Sequence, residues 1–80
     1  MDDAEIARRI SELADEEHQL EQSRIGAGLS EDEHQRLQEL EVALDQCWDL
    51  LRQRRARRSA GLDPDDAEVR SSGTVEGYQQ

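Results

Sequence analysis

Two spacings in this chain could hold a metal ion, and one run could hold an anion. Asp15-x-x-His18 and Glu31-x-x-His34 each put a carboxylate one helical turn before a histidine, the arrangement with which helical bundles grip paired metal ions. The register derived below turns Asp15 and His18 outward and leaves His18 and His34 at different heights, so these residues read as solvated surface. Arg52, Arg54, Arg55, Arg57 and Arg58 form the one strongly basic run, which suits a phosphate or an acidic protein surface. Cys47 is the single cysteine and can form no intrachain disulfide; on an apolar seam it reads as a reduced packing residue. No Ser-His-Asp or Cys-His constellation is present, and a charge-crowded helical surface offers no cleft in which to shift a pKa. The residues therefore imply no enzyme, no cofactor, no bound metal and no small-molecule substrate.

The elements that carry these residues are legible from periodicity. Leu37, Leu40, Leu44, Cys47 and Leu51 recur at steps of three and four, and Ile6, Ile10, Leu13 and Leu20 repeat the spacing upstream. Ile25-Gly26-Ala27-Gly28-Leu29 between them is glycine-rich and of a length to reverse the chain. This predicts an all-α fold: an antiparallel, coiled-coil-like hairpin over residues 1–60, then a short C-terminal helical turn and a flexible tail over 61–80. The first helix is expected from about residue 3 to 24, capped by Asp2 or Asp3. The second opens on the capping box Ser30-Glu31-Asp32-Glu33 and runs to about Ser59, roughly 40 Å. Gly61 and Leu62 suit a Schellman ending, and Asp63-Pro64 suits the cap and first position of a short acidic helix reaching about Arg70. Ser71-Ser72-Gly73-Thr74 reads as linker, and the end with Tyr78 reads as frayed or loosely docked, or else as a recognition peptide.

Folding the helices together sets Leu20 near Leu37, Leu13 near Leu44, Ile10 near Cys47 and Ile6 near Leu51, with Glu17 at the seam position opposite Leu40. A carboxylate there needs a partner or a route to water. Val42, Ala43, Trp48 and Leu50 flank the seam, more apolar surface than one neighbouring helix covers. Two hairpins pairing into a four-helix bundle would cover it, with Leu44, Trp48, Leu50 and Leu51 as the self-association residues of a homodimer. Alternatively the tail folds back and covers Trp48 and Leu50 with Leu62, Val69, Val75 or Tyr78.

Twenty acidic residues against ten arginines and no lysine give a net charge of -10, which repels nucleic acid and anionic membranes. The start Met1-Asp2-Asp3-Ala4-Glu5 has no basic or apolar leader character and no apolar run spans a bilayer, so a cytoplasmic address without membrane contact is expected. The hairpin brings the arginine run beside Asp2, Asp3 and Glu5, which can neutralise part of it; Arg57 and Arg58 are expected to be the ones these three acids neutralise least. The surplus is available to an acidic partner or, against the net charge, to a nucleic acid backbone.

The stretch Leu40-Glu41-Val42-Ala43-Leu44-Asp45-Gln46-Cys47-Trp48-Asp49-Leu50-Leu51-Arg52-Gln53-Arg54-Arg55-Ala56-Arg57-Arg58, with Ala60-Gly61-Leu62-Asp63-Pro64 and Val75-Glu76-Gly77-Tyr78, resembles the short actinobacterial proteins grouped as domain of unknown function 2630. The resemblance covers nearly the whole chain and implies a cytosolic bacterial setting, but no reaction, cofactor or catalytic residue. The expectation is a helical adaptor or regulator that self-associates and binds a protein through Arg52, Arg54, Arg55, Arg57, Arg58 and Tyr78. A nucleic-acid-associated factor using the arginine run and a metal-binding bundle are the alternatives.

Overall fold

The computed structural model describes residues 1–23 and 28–77, so the reversal expected at Ile25, Gly26 and Ala27 and the aromatic Tyr78 lie outside the described residues. The order is α1 (Asp3–Ser23), α2 (Glu31–Ser59), a 3-10 turn (Pro64–Asp66) and α3 (Ser72–Gly77). Each long helix starts where the chain can satisfy its own free amides. The Asp2 carboxylate accepts from the Glu5 amide at 2.8 Å while Glu5 accepts from the Asp2 amide at 3.2 Å, a second capping box beside the expected one at Ser30 and Glu33. At the far end of α2, the Leu62 amide donates to the Arg57 carbonyl and the Gly61 amide to the Arg58 carbonyl, with Gly61 at φ 75°, the Schellman ending that the sequence predicts.

The two long helices run antiparallel, packed along the expected seam. Ile6, Leu13, Leu40, Leu50 and Leu51 are buried, and Ile10, Cys47 and Ala67 pack against the cluster of Ile6, Leu50 and Leu51. Leu50 thus belongs to the core of the single chain; the expected apolar surplus at this position is absorbed inside the molecule. Leu37 and Leu44 are only half-buried. Toward the start of α2 Arg36 braces the helices, donating to both carboxylate oxygens of Glu16 at 2.5 and 3.0 Å.

After α2 the chain doubles back along it. Asp63 caps the 3-10 turn through its carboxylate, which accepts from the Asp65 amide at 2.9 Å. The expected continuation to Arg70 does not form: Ala67 already has φ -69° and ψ 140°, and residues 67–70 run as an irregular strap whose partners are side chains of α2. Ser71 then caps α3 through its hydroxyl, 3.3 Å from the Thr74 amide, and Val75 is fully buried against α2. The segment that read as linker and tail is therefore docked through residue 77, because it brings an apolar anchor and its own cap. Leu62 and Val69, expected covers of the same surface, stay more than half exposed. No helix among the described residues is long and apolar enough to cross a membrane.

Candidate interaction surface on the second helix

Three faces of α2 have different fates, and they sort the basic run. The seam positions after Cys47 and Leu51 are, by the same three-four spacing, Arg54 and Arg58. Both turn toward the start of α1. Arg54, 6% exposed, donates from Nε to Asp3 Oδ1 at 2.5 Å and from Nη1 to Asp65 Oδ1 at 2.9 Å and the Pro64 carbonyl at 3.2 Å. Arg58 reaches both oxygens of Asp3, at 2.6 and 3.2 Å. Hydrogen bonds from Arg58 first and Arg54 second hold the Asp3 carboxyl down at about 2.

Arg57 donates to the Asp63 carbonyl at 2.5 Å and lies 3.4 Å from Asp66. The expectation that Asp2, Asp3 and Glu5 neutralise Arg57 and Arg58 least is overturned for Arg58, which pairs with Asp3; Arg57 is met by neither Asp2, Asp3 nor Glu5 but by the returning chain. Arg58 shares the seam with Arg54, and the returning chain carries Asp63 and Asp66 up to Arg57.

A second face, Gln46, Asp49 and Gln53, binds the strap, and sequence reasoning missed it. Gln53 Nε2 donates to the Glu68 carbonyl at 2.7 Å and Gln46 Nε2 to the Arg70 carbonyl at 3.2 Å, while Asp49, 3% exposed, accepts from Gln53 at 2.9 Å and pairs with Arg70 at 3.2 Å. These side chains satisfy the backbone of a segment that has no secondary structure of its own. The signal was a polar stripe at steps of three and four on the flank opposite the seam, in a helix otherwise read only for its apolar stripe.

The third face is open. Trp48 is 46% exposed, with Arg52 and Arg55 exposed one and two turns beyond it and Glu41 exposed two turns before it. Among the described residues none of Glu41, Asp45, Arg52 and Arg55 has an ion-pair or hydrogen-bond partner. Leu51 and Leu50, expected to serve self-association, are packed in the core, and Leu44 is half-buried at the edge of this face. What the structure leaves on one open surface is an aromatic ring beside two uncommitted guanidinium groups.

The other candidates are less endowed. Asp15, His18, Glu31 and His34 are all exposed, and no group of three or more metal-ligating side chains forms among the described residues. Ile6, Leu13, Cys47, Leu50 and Val69 wall a shallow cleft of about 240 Å³. Burial there pushes the Cys47 thiol up, away from the reactive thiolate.

Uncharacterized proteins of Mycobacterium bovis and of two strains of Mycobacterium tuberculosis are 49% identical to this chain over 77 residues, covering 95% of it and 88% of each relative. No solved structure matches it. Residues 2–80 match the family described as protein of unknown function (DUF2630), and with relatives this similar along nearly its full length, the chain belongs to that family.

Proposed function

We propose that the protein is a small, non-enzymatic helical interaction module, an adaptor or regulator, which meets another protein through the open face of α2. The observation that carries this reading is Trp48, nearly half exposed beside two arginines that no described residue engages, in a chain of net charge -10. A tryptophan left in water on a molecule with so few apolar residues forgoes burial that a partner can supply, and tryptophan and arginine are among the residues enriched at energetic centres of protein interfaces. Arg54, Arg57 and Arg58 contribute by holding the returning chain and the start of α1 against α2 beside this face. The same assignment weakens the nucleic-acid alternative, since two uncommitted cations supply few phosphate contacts against so negative a field.

The test is affinity capture from the native host with wild type and with the triple variant Trp48→Ala, Arg52→Gln, Arg55→Gln, each checked for helicity. A protein retained by wild type and lost with the variant supports the reading. Equal capture by both sinks it.

A further inference from the structure

We propose that the open face of α2 is self-complementary and pairs with the same face of a second copy, antiparallel, with Trp48 at the two-fold axis, Asp45 meeting Arg52 and Glu41 meeting Arg55 across the interface. The inference rests on the reading of this face as the contact surface and gives its occupant.

The geometry follows from the pitch of a helix. With about 100° and 1.5 Å per residue, Glu41 and Arg55 lie within about 20° of the line through Trp48, each about 10 Å from it along the axis in opposite directions. Asp45 and Arg52 sit on one side of that line, about 4.5 Å before and 6 Å after Trp48. The face is therefore acidic at one end, aromatic in the middle and basic at the other. A two-fold axis through Trp48 reverses the second copy, so each acidic end faces the partner's basic end, and residues on one side of the line stay on that side. A parallel pairing would instead set acid on acid and base on base.

Among the described residues no ion pair or side-chain hydrogen bond competes for the charges on this face. Glu41, Asp45, Arg52 and Arg55 have no partner among the described residues, whereas Arg54, Arg57 and Arg58 beside them are engaged. Negative charge is also concentrated where the partner's arginines would arrive. The Glu17 carboxyl on α1 is held above its ordinary value by burial and then by Glu21, Glu41 and Asp45. The strap is held by a different face of α2, through Gln46 and Gln53, so pairing leaves the docked C-terminal segment in place.

Sedimentation equilibrium across the micromolar range, with emission of the lone Trp48 recorded alongside, tests this. Wild type should dimerise, its tryptophan emission shifting to the blue as concentration rises. The double variant Arg52→Glu, Arg55→Glu and the double variant Glu41→Arg, Asp45→Arg should each lose self-association by roughly a hundredfold or more, since like charges then meet across the axis. Mixing the two variants should restore a one-to-one complex, because the face that is acidic at all four positions then meets the face that is basic at all four. Glu41, Arg52 and Arg55 are exposed and Asp45 is half-buried, none of them in the core, so helicity should stay close to wild type. A wild type that is monomeric throughout overturns the proposal. So does a dimer whose affinity neither reversal changes, or a mixture of variants that does not pair. Patch-dependent capture of a different protein by a monomeric wild type would leave the module reading standing while this one fails.

Discussion

Asp3 links three parts of the molecule through one carboxylate: it accepts from Arg54 and Arg58 of α2, and Arg54 in turn holds Asp65 of the returning chain. Its carboxyl is held at about 2, from an ordinary 3.8, by hydrogen bonds from Arg58 first and Arg54 next. A depressed folded value means that ionised Asp3 favours the folded chain above the ordinary value, and that the contribution disappears as pH falls from 3.8 toward 2. Asp3→Asn should therefore melt at lower temperature than wild type near neutrality, with the two curves converging as pH falls through that window. A gap in thermal melts that persists at the acid end would place the stabilisation elsewhere. Glu17 has the opposite sign. Its carboxyl is raised above the ordinary 4.5 by burial and by Glu21, Glu41 and Asp45, so its charged form disfavours folding once pH rises through the folded value. Glu17→Gln should raise the melting temperature at neutral pH and change little below the ordinary value; equal melting points at pH 7 would show that the seam carboxylate reaches water freely.

Among the elements, α2 carries most of the information, because one helix serves the hairpin seam, the strap and the open face at once. Periodicity marks Leu40 and Leu44 as equivalent seam positions, yet Leu40 is fully buried and Leu44 half-buried. At about 100° per residue Leu44 lies about 40° round the helix from Trp48, between the seam and the open face. Leu40→Ala should cost about 2–5 kcal/mol and Leu44→Ala distinctly less, measured by urea denaturation at a concentration where the chain is monomeric. The reverse order would mean that the helices cross at a different height.

As a whole molecule the protein is long and thin, 51 × 25 × 16 Å, with a radius of gyration of 15.0 Å against about 12 Å for a compact domain of this length. Such a shape buries little, and the returning chain adds to the core what two helices lack. It does so through polar side chains along the strap and one fully buried anchor, Val75. A helix of six residues does not persist alone, so α3 depends on that anchor. Val75→Ala removes about 1–2 kcal/mol of burial, enough to let α3 undock while the hairpin holds. Amide exchange should speed up over residues 72–77 and stay slow across the buried part of α2. Uniform acceleration through both would show that hairpin and return leg unfold as one unit.

Local chemistry was sufficient to read the hairpin from the chain alone. The capping box at Ser30 and Glu33, the apolar steps of three and four, and the Gly61 ending each depend on residues within a turn or two of one another, and each is seen in the structure. The net negative charge and the family resemblance were equally legible, since composition and residue order need no coordinates. Tertiary structure decided which arginines are uncommitted. Arg54, Arg57 and Arg58 are engaged by Asp3, Asp63, Asp65 and Asp66, partners that approach only when α1 lies alongside and the chain doubles back. It decided as well that Leu50 belongs to the core while Trp48 stays open, because a period of 3.6 states which residues share a face but leaves unstated which face another element will cover. The strap was hidden for the same reason: residues 67–70 have no repeating pattern, and what orders them is a polar stripe on a helix some twenty residues away in sequence, whose partners exist only once the chain has folded.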